Sequence, residues 1–190
     1  MKIRNTLMIS AILVSLFTGC NAQGTPNPTT VQSTTQSTTT ASVEAKSSAS
    51  IVDTADAFQK AISSNGTWII AITKDLTIDK DISLDGEYKN GKKDTNGKDI
   101  IQRKIALYAQ DANRNITARY TLTAPKFTIN SPEASIQHGT FKGDLYVNVK
   151  NFKLIDATVD GNVYFMTDEA KSTFNMDAKS KVTGKQELKK

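Results

Sequence analysis

The chain has one cysteine, one histidine and one tryptophan among its 190 residues, and only 7% of it is aromatic. A single cysteine, Cys20, makes a disulfide within the chain impossible. His138 stands alone too, with no positioned serine and no second cysteine to join it in a nucleophile constellation. No apolar run approaches the ~20 residues needed to cross a bilayer; the run at residues 7–17 falls well short. Charge is not extreme either. The formal balance is +5, with lysines interspersed among Asp and Glu, so a nucleic-acid partner is not indicated.

What is present at the start is a basic entry, Lys2 and Arg4, then the apolar run, then Thr18-Gly19-Cys20. That order describes a secretory signal peptide over residues 1–19. The Leu16-Phe17-Thr18-Gly19-Cys20 stretch resembles a bacterial lipobox. The resemblance implies lipidation of Cys20, membrane attachment through that anchor and an extracytoplasmic location. Loss of the signal lowers the formal charge from +5 to +3. Residues 20–50 then carry Thr29-Thr30, Thr34-Thr35, Thr38-Thr39-Thr40 and Ser47-Ser48 with almost no apolar side chain. Such a segment buries too little surface to offset its ordering entropy, and is expected to serve as a disordered tether.

Order is expected from about Ile51. Asp53 or Thr54 can cap a helix whose apolar positions Ala55, Phe58, Ala61 and Ile62 share one face. Asn65-Gly66 supplies a left-handed stop, so residues 51–66 read as a capping helix. Short strands follow at about 68–73, 76–78 and 82–84. Residues 85–98, with Gly86, Asn90-Gly91 and Asn96-Gly97, read as an exposed loop or hairpin end. Strand patterning resumes at 104–109 and 116–123.

The strongest signal is a repeat. A slide of eighteen residues lays Ile136 on Leu154, Thr140 on Thr158, Gly143 on Gly161, Leu145 on Val163, Tyr146 on Tyr164 and Val147 on Phe165. A weaker copy sets Phe127-Thr128-Ile129 under Leu145-Tyr146-Val147. Alternation points Leu145, Val147, Val163 and Phe165 inward, and Tyr146 and Tyr164 outward. Lys142 falls over Asp160, and Asp144 over Asn162. Residues 166–172 interrupt the repeat with extra residues, before an irregular last rung and a lysine-rich end suited to blocking further strand pairing.

A repeat this short, rich in strand formers and marked by glycine, fits one rung of a stack. The fold expected for residues 67–190 is therefore all-β, a small parallel β-helix (β-solenoid) of five to seven rungs with the N-terminal capping helix; the alternative is an antiparallel β-sandwich. The pattern resembles the right-handed parallel β-helix architecture of pectin lyases and polygalacturonases, and its glycine rhythm is similar to that of bactofilin-like solenoids. The catalytic aspartates and Gly-His-Gly elements of those enzymes have no counterpart in this chain, so no catalytic residue is assigned.

Three surface features invite a function. Tyr146, Tyr164 and Lys142 form a candidate ligand-binding face, where flat rings could stack on sugars while Lys142, Lys150 and Lys153 meet acidic groups. His138 falls one repeat before Asp156, a pair able to share a proton, although a surface polar ladder explains it as well. The Asp94–Asp99 stretch starts like a calcium loop, but its closing acid would fall on Ile105, so no metal is expected, nor any cofactor. The reading is a membrane-anchored surface lipoprotein whose solenoid binds an envelope polysaccharide or a protein partner. The alternative is a small β-helix polysaccharide-active enzyme, a lyase or hydrolase.

Overall fold

A computed structural model describes residues 49–189. The signal peptide at 1–19, the lipid site at Cys20 and the tether up to residue 48 lie outside the described residues.

Two sheets carry most of the strands. The first runs in the order β1 (Ala49–Val52), β2 (Ile69–Ile72), β7 (Arg103–Ala106), β11 (Ala134–Gln137), β13 (Lys153–Ile155) and β16 (Asn175–Met176). In the second, β3 (Leu76–Thr77) and β4 (Ile82–Leu84) lie end to end along β10 (Thr121–Ile129), which pairs with β12 (Thr140–Val147). Beyond β12 come β14 (Thr158–Asp160) and β15 (Val163–Phe165), then β17 (Lys181–Val182) and β18 (Gln186–Leu188). Every pairing within these two sheets is parallel, and neither sheet closes on itself. The chain is thus mostly β with parallel sheets, and the antiparallel sandwich does not describe it. Among the described residues antiparallel pairing is confined to two hairpins, β5 (Lys89–Lys93) with β6 (Asp99–Ile101) and β8 (Tyr108–Gln110) with β9 (Ile116–Arg119).

Between β11 and β13, and between β12 and the pair β14 and β15, the register is the eighteen-residue repeat. Ile136 pairs with Leu154, Phe141 with Val159, and Tyr146 with Tyr164. The weaker copy also holds, since Phe127, Thr128 and Ile129 pair with Leu145, Tyr146 and Val147. Leu145, Val147 and Val163 are wholly buried and Phe165 nearly so, which places the alternation as expected. Burial of side chains of this size contributes roughly 1.5–3 kcal/mol each, so like-on-like columns dominate the stability.

Between β10 and β12 the register slips by one residue at Ala124-Pro125. A proline has no N–H to give to a ladder and is tolerated at such a bulge. Opposite it lies Gly143 at φ +139°, where an added Cβ would come within 1.8 Å of the Ala124 carbonyl oxygen. Only glycine lets the two backbones approach so closely.

The repeat extends to turns whose side chains differ. Glu133 and Asn151 have φ of 53° and 57°, and His138 and Asp156 have φ of 59° and 49°. Each pair is one repeat apart, and Asn, Asp and His are among the residues that best tolerate this left-handed region.

The helix α1 (Ala55–Ile62) starts at Thr54, whose hydroxyl accepts from the Ala57 N–H at 3.2 Å. Phe58, Ala61 and Ile62 enter the core, and the helix packs against β1, β2 and β4. Its end differs from the expected left-handed glycine stop. The C-cap is Ser63 in extended conformation, and Gly66 is needed because a Cβ there would meet the Ala61 carbonyl at 1.8 Å. Order also begins earlier than Ile51, because Ala49 and Ser50 pair with Ile69 and Ile70. The interruption at 166–172 folds as a second helix, α2 (Asp168–Thr173). Thr167 caps it by accepting from the Ala170 N–H at 3.0 Å, and Ala170 is buried. No helix among the described residues is long and apolar enough to cross a membrane.

Candidate functional site

β12 and β15 set Tyr146 beside Tyr164 on the outward face of the second sheet. Their ring centroids lie 4.9 Å apart with the planes tilted by 47°. Two lysines complete the group. Lys126 Nζ lies 4.6 Å from the Tyr146 centroid, and Lys189 Nζ lies 4.8 Å from Tyr146 and 4.5 Å from Tyr164. Lys189 also donates to the Tyr146 hydroxyl at 2.9 Å. That hydrogen bond raises the Lys189 pKa above the usual lysine value, with help from both phenols and Asp144. An ammonium over a ring face is attracted by the negative charge of the π-system. Lys126 was legible in hindsight, two residues before Thr128 in the weak repeat. Lys189 was not, because β18 pairs with β15 at an offset of twenty-three residues, with Glu187 beside Tyr164.

Lys142 is on the same strand and pairs in register with Asp160, whose carboxylate accepts from the Thr183 hydroxyl at 3.1 Å. Asp144 accepts from the Asn162 side-chain amide at 2.9 Å and backbone N–H at 3.1 Å, so the predicted polar stack is a pair of hydrogen bonds. Tyr146, Tyr164 and Lys142 therefore share one face. Lys150 and Lys153 do not join them; they line cavities beside the first sheet.

His138 and Asp156 meet as the repeat implied, with His138 Nδ1 3.1 Å from Asp156 Oδ2. The same oxygen accepts from Arg119 Nη2 at 2.6 Å, while Arg119 Nη1 donates to the Asp156 carbonyl at 3.2 Å. The Arg119 hydrogen bond, then that of His138, holds the Asp156 carboxyl below its ordinary pKa. Tyr108 meets His138 edge-on at 4.6 Å, and Lys104 donates to the Tyr108 hydroxyl at 2.8 Å. The Asp156 N–H is itself held by Asp177 at 3.0 Å. Arg119 and Tyr108 were missed because both sit on the β8–β9 hairpin, which has no partner in the repeat. This cluster ties that hairpin to the turns of the parallel sheets. Asp160 lies apart from it, bonded to Thr183.

The Asp94 turn is occupied by its own backbone: Asp94 Oδ1 accepts from the N–H groups of Asn96 and Lys98 at 2.8 and 2.9 Å. Asp99 is paired with Lys89 at 2.7 Å and Lys93 at 2.9 Å, which lowers its pKa to about 2. Among the described residues no group of three or more His, Cys, Asp or Glu side chains is arranged to hold a metal ion.

No family model, no curated protein and no solved structure matches the chain.

Proposed function

We propose that this chain is a lipid-anchored, extracytoplasmic β-solenoid that binds an acidic envelope polysaccharide on its Tyr146–Tyr164 face. The solenoid reading rests on how the chain alternates between two parallel sheets, each pass adding a strand at the same edge of both. Ladders at the repeat spacing support it, including Asn148 donating to Asn130 and Asn162 donating to Asp144. The anchor reading rests on the lipobox-like stretch ending at Cys20, which would leave the body tethered outside the membrane.

The observation that carries the binding role is the tyrosine pair with Lys126 and Lys189 over its rings, and Lys142 further along the same face of β12. Aromatic faces stack on the apolar faces of sugar rings, and the ammonium groups suit carboxylate or phosphate substituents. The enzyme alternative has less behind it, because Asp156 already serves two donors and analogy of fold is a weak warrant for activity.

The test is affinity electrophoresis of the full-length protein through gels containing acidic or neutral polysaccharides, beside a Tyr146→Ala/Tyr164→Ala variant. Retardation in acidic gels that the variant loses is the expected result. Equal mobility of both proteins in every gel would remove the tyrosine face as a binding site.

A further inference from the structure

Both parallel sheets end on the same stretch of chain. β16 is the edge of the first, β17 and β18 are the edge of the second, and among the described residues no strand pairs beyond them. Their inward side chains stack on wholly or nearly wholly buried ones: Phe174 on Phe152, Met176 on Leu154, Val182 on Val159 and Leu188 on Phe165. The outer four are less covered. Met176 is 38% exposed, and Phe174, Val182 and Leu188 are only half-buried. The opposite end differs, because α1 sets Phe58, Ala61 and Ile62 into the core there.

Charge is divided between the same two ends. Residues 171–190 carry six lysines against Asp177 and Glu187, a formal +4, whereas residues 49–86 carry six aspartates against three lysines, a formal −3. Lysines on an edge strand discourage further pairing, which accounts for Lys181. Lys171 on α2, Lys179 in the turn before β17 and Lys185 between β17 and β18 are on no strand, so edge protection does not account for them. Lys171, Lys179 and Lys181 form no ion pair among the described residues. The basic end is thus an apolar centre with free ammonium groups around it.

We infer that this end rests on a membrane surface rich in anionic phospholipid. Met176, Val182 and Leu188 face the acyl boundary, while the lysines lay their stems along the apolar surface and reach headgroup phosphates. Other occupants fit less well. A second copy placed end to end would set +4 against +4, and the acidic end is covered by α1, which presents Asp56 and Lys60 outward. An added peptide strand would find edges of only two or three residues, which offer few backbone hydrogen bonds. An acidic polysaccharide has no use for the apolar centre. The inference goes beyond the polysaccharide reading, and its test leaves the tyrosine face intact.

The test is co-sedimentation with vesicles of phosphatidylcholine alone or of equal parts phosphatidylcholine and phosphatidylglycerol. The protein is the chain that the signal-peptide reading leaves, residues 20–190, carrying Cys20→Ser so that no acyl group contributes. Binding to the anionic vesicles alone, weakened by added salt, is expected. A lysine near an anionic surface contributes about fivefold in affinity, so Lys179→Glu/Lys181→Glu should weaken binding about tenfold or more. Met176→Gln, which keeps the side-chain length, should weaken it severalfold. The Tyr146→Ala/Tyr164→Ala variant should bind vesicles as the wild type does, which separates this surface from the tyrosine face. No binding to either vesicle, equal binding to both, or indifference to the lysine or the methionine variant would overturn the inference. Sedimentation velocity should show a monomer; a dimer that Met176→Gln dissociates would assign this end to a second copy instead.

Discussion

Arg103 Nη2 lies 2.7 Å from the carbonyl oxygen of Ala61, in the last turn of α1. The same guanidinium reaches the Ser63 carbonyl at 3.1 Å and the Asp85 carbonyl at 2.9 Å, and stacks 3.7 Å over the Tyr88 ring. It is wholly buried, and that burial brings its pKa down to about 10, partly countered by Tyr88 and Asp85. A cation at a helix C-terminus meets the negative end of the helix dipole and the carbonyls that lack partners there. One side chain from β7 thus joins the helix, the strand end at Asp85 and the first sheet.

Arg103→Met should therefore destabilise the protein by about 3 kcal/mol, because the buried Ala61 carbonyl and the partly buried Ser63 and Asp85 carbonyls lose a donor while the side-chain volume is nearly kept. Urea unfolding followed by circular dichroism measures it. A change below about 0.5 kcal/mol, the usual range for surface substitutions, would mean that water replaces the guanidinium at no cost.

Val163→Asp and Asp160→Ala separate the inside of the sheet from its outside. Val163 is wholly buried between Leu145 and Gln186, so a carboxylate there should cost roughly 3–5 kcal/mol. Asp160 is exposed, and its loss should stay within about 1 kcal/mol. Thermal melts of both variants decide the matter, and similar melting temperatures would contradict the assigned faces.

Acid should loosen the two hairpins. Asp99 and Asp156 both titrate below the ordinary carboxylate value in the folded chain, chiefly through Lys89 for Asp99 and Arg119 for Asp156. A depressed folded pKa means that the stabilisation is complete above the ordinary value and is lost as pH falls through the folded one. For Asp99 that window runs from its usual 3.8 down to about 2. Amide protection in the β5–β6 hairpin, measured against the intrinsic exchange rate at each pH, should fall across it in the wild type, while Asp99→Asn should show low protection at every pH. An unchanged exchange rate in that variant would show that the ion pairs do not hold the hairpin.

Cys20→Ser should abolish fatty-acid labelling in a bacterial host and shift the protein from the membrane fraction to the soluble one. Labelling that persists would remove the lipid-anchor reading, as would a wild-type protein that takes up no label.

The parallel stack was legible because its cause is local and periodic. Alternation assigns faces, and eighteen residues carry the chain once from Ile136 to Leu154, so like side chains fall on like without reference to anything distant. Thr54 as a helix cap and Tyr146 beside Tyr164 follow from the same short-range rules. Arg103, Lys189 and Arg119 were not legible. Each depends on where an irregular segment folds back, and such segments have no partner in the repeat to fix their register. The end of α1 makes the same point: Asn65-Gly66 signals a left-handed stop, but the helix ends at Ser63 under a guanidinium from β7, forty residues further on. The sequence by itself determined the strands of the repeat, their faces and their eighteen-residue spacing, since these need only period and side-chain size. The tertiary structure decided which polar groups meet, because hydrogen bonds and ion pairs depend on ångström-scale distances that only the folded backbone sets.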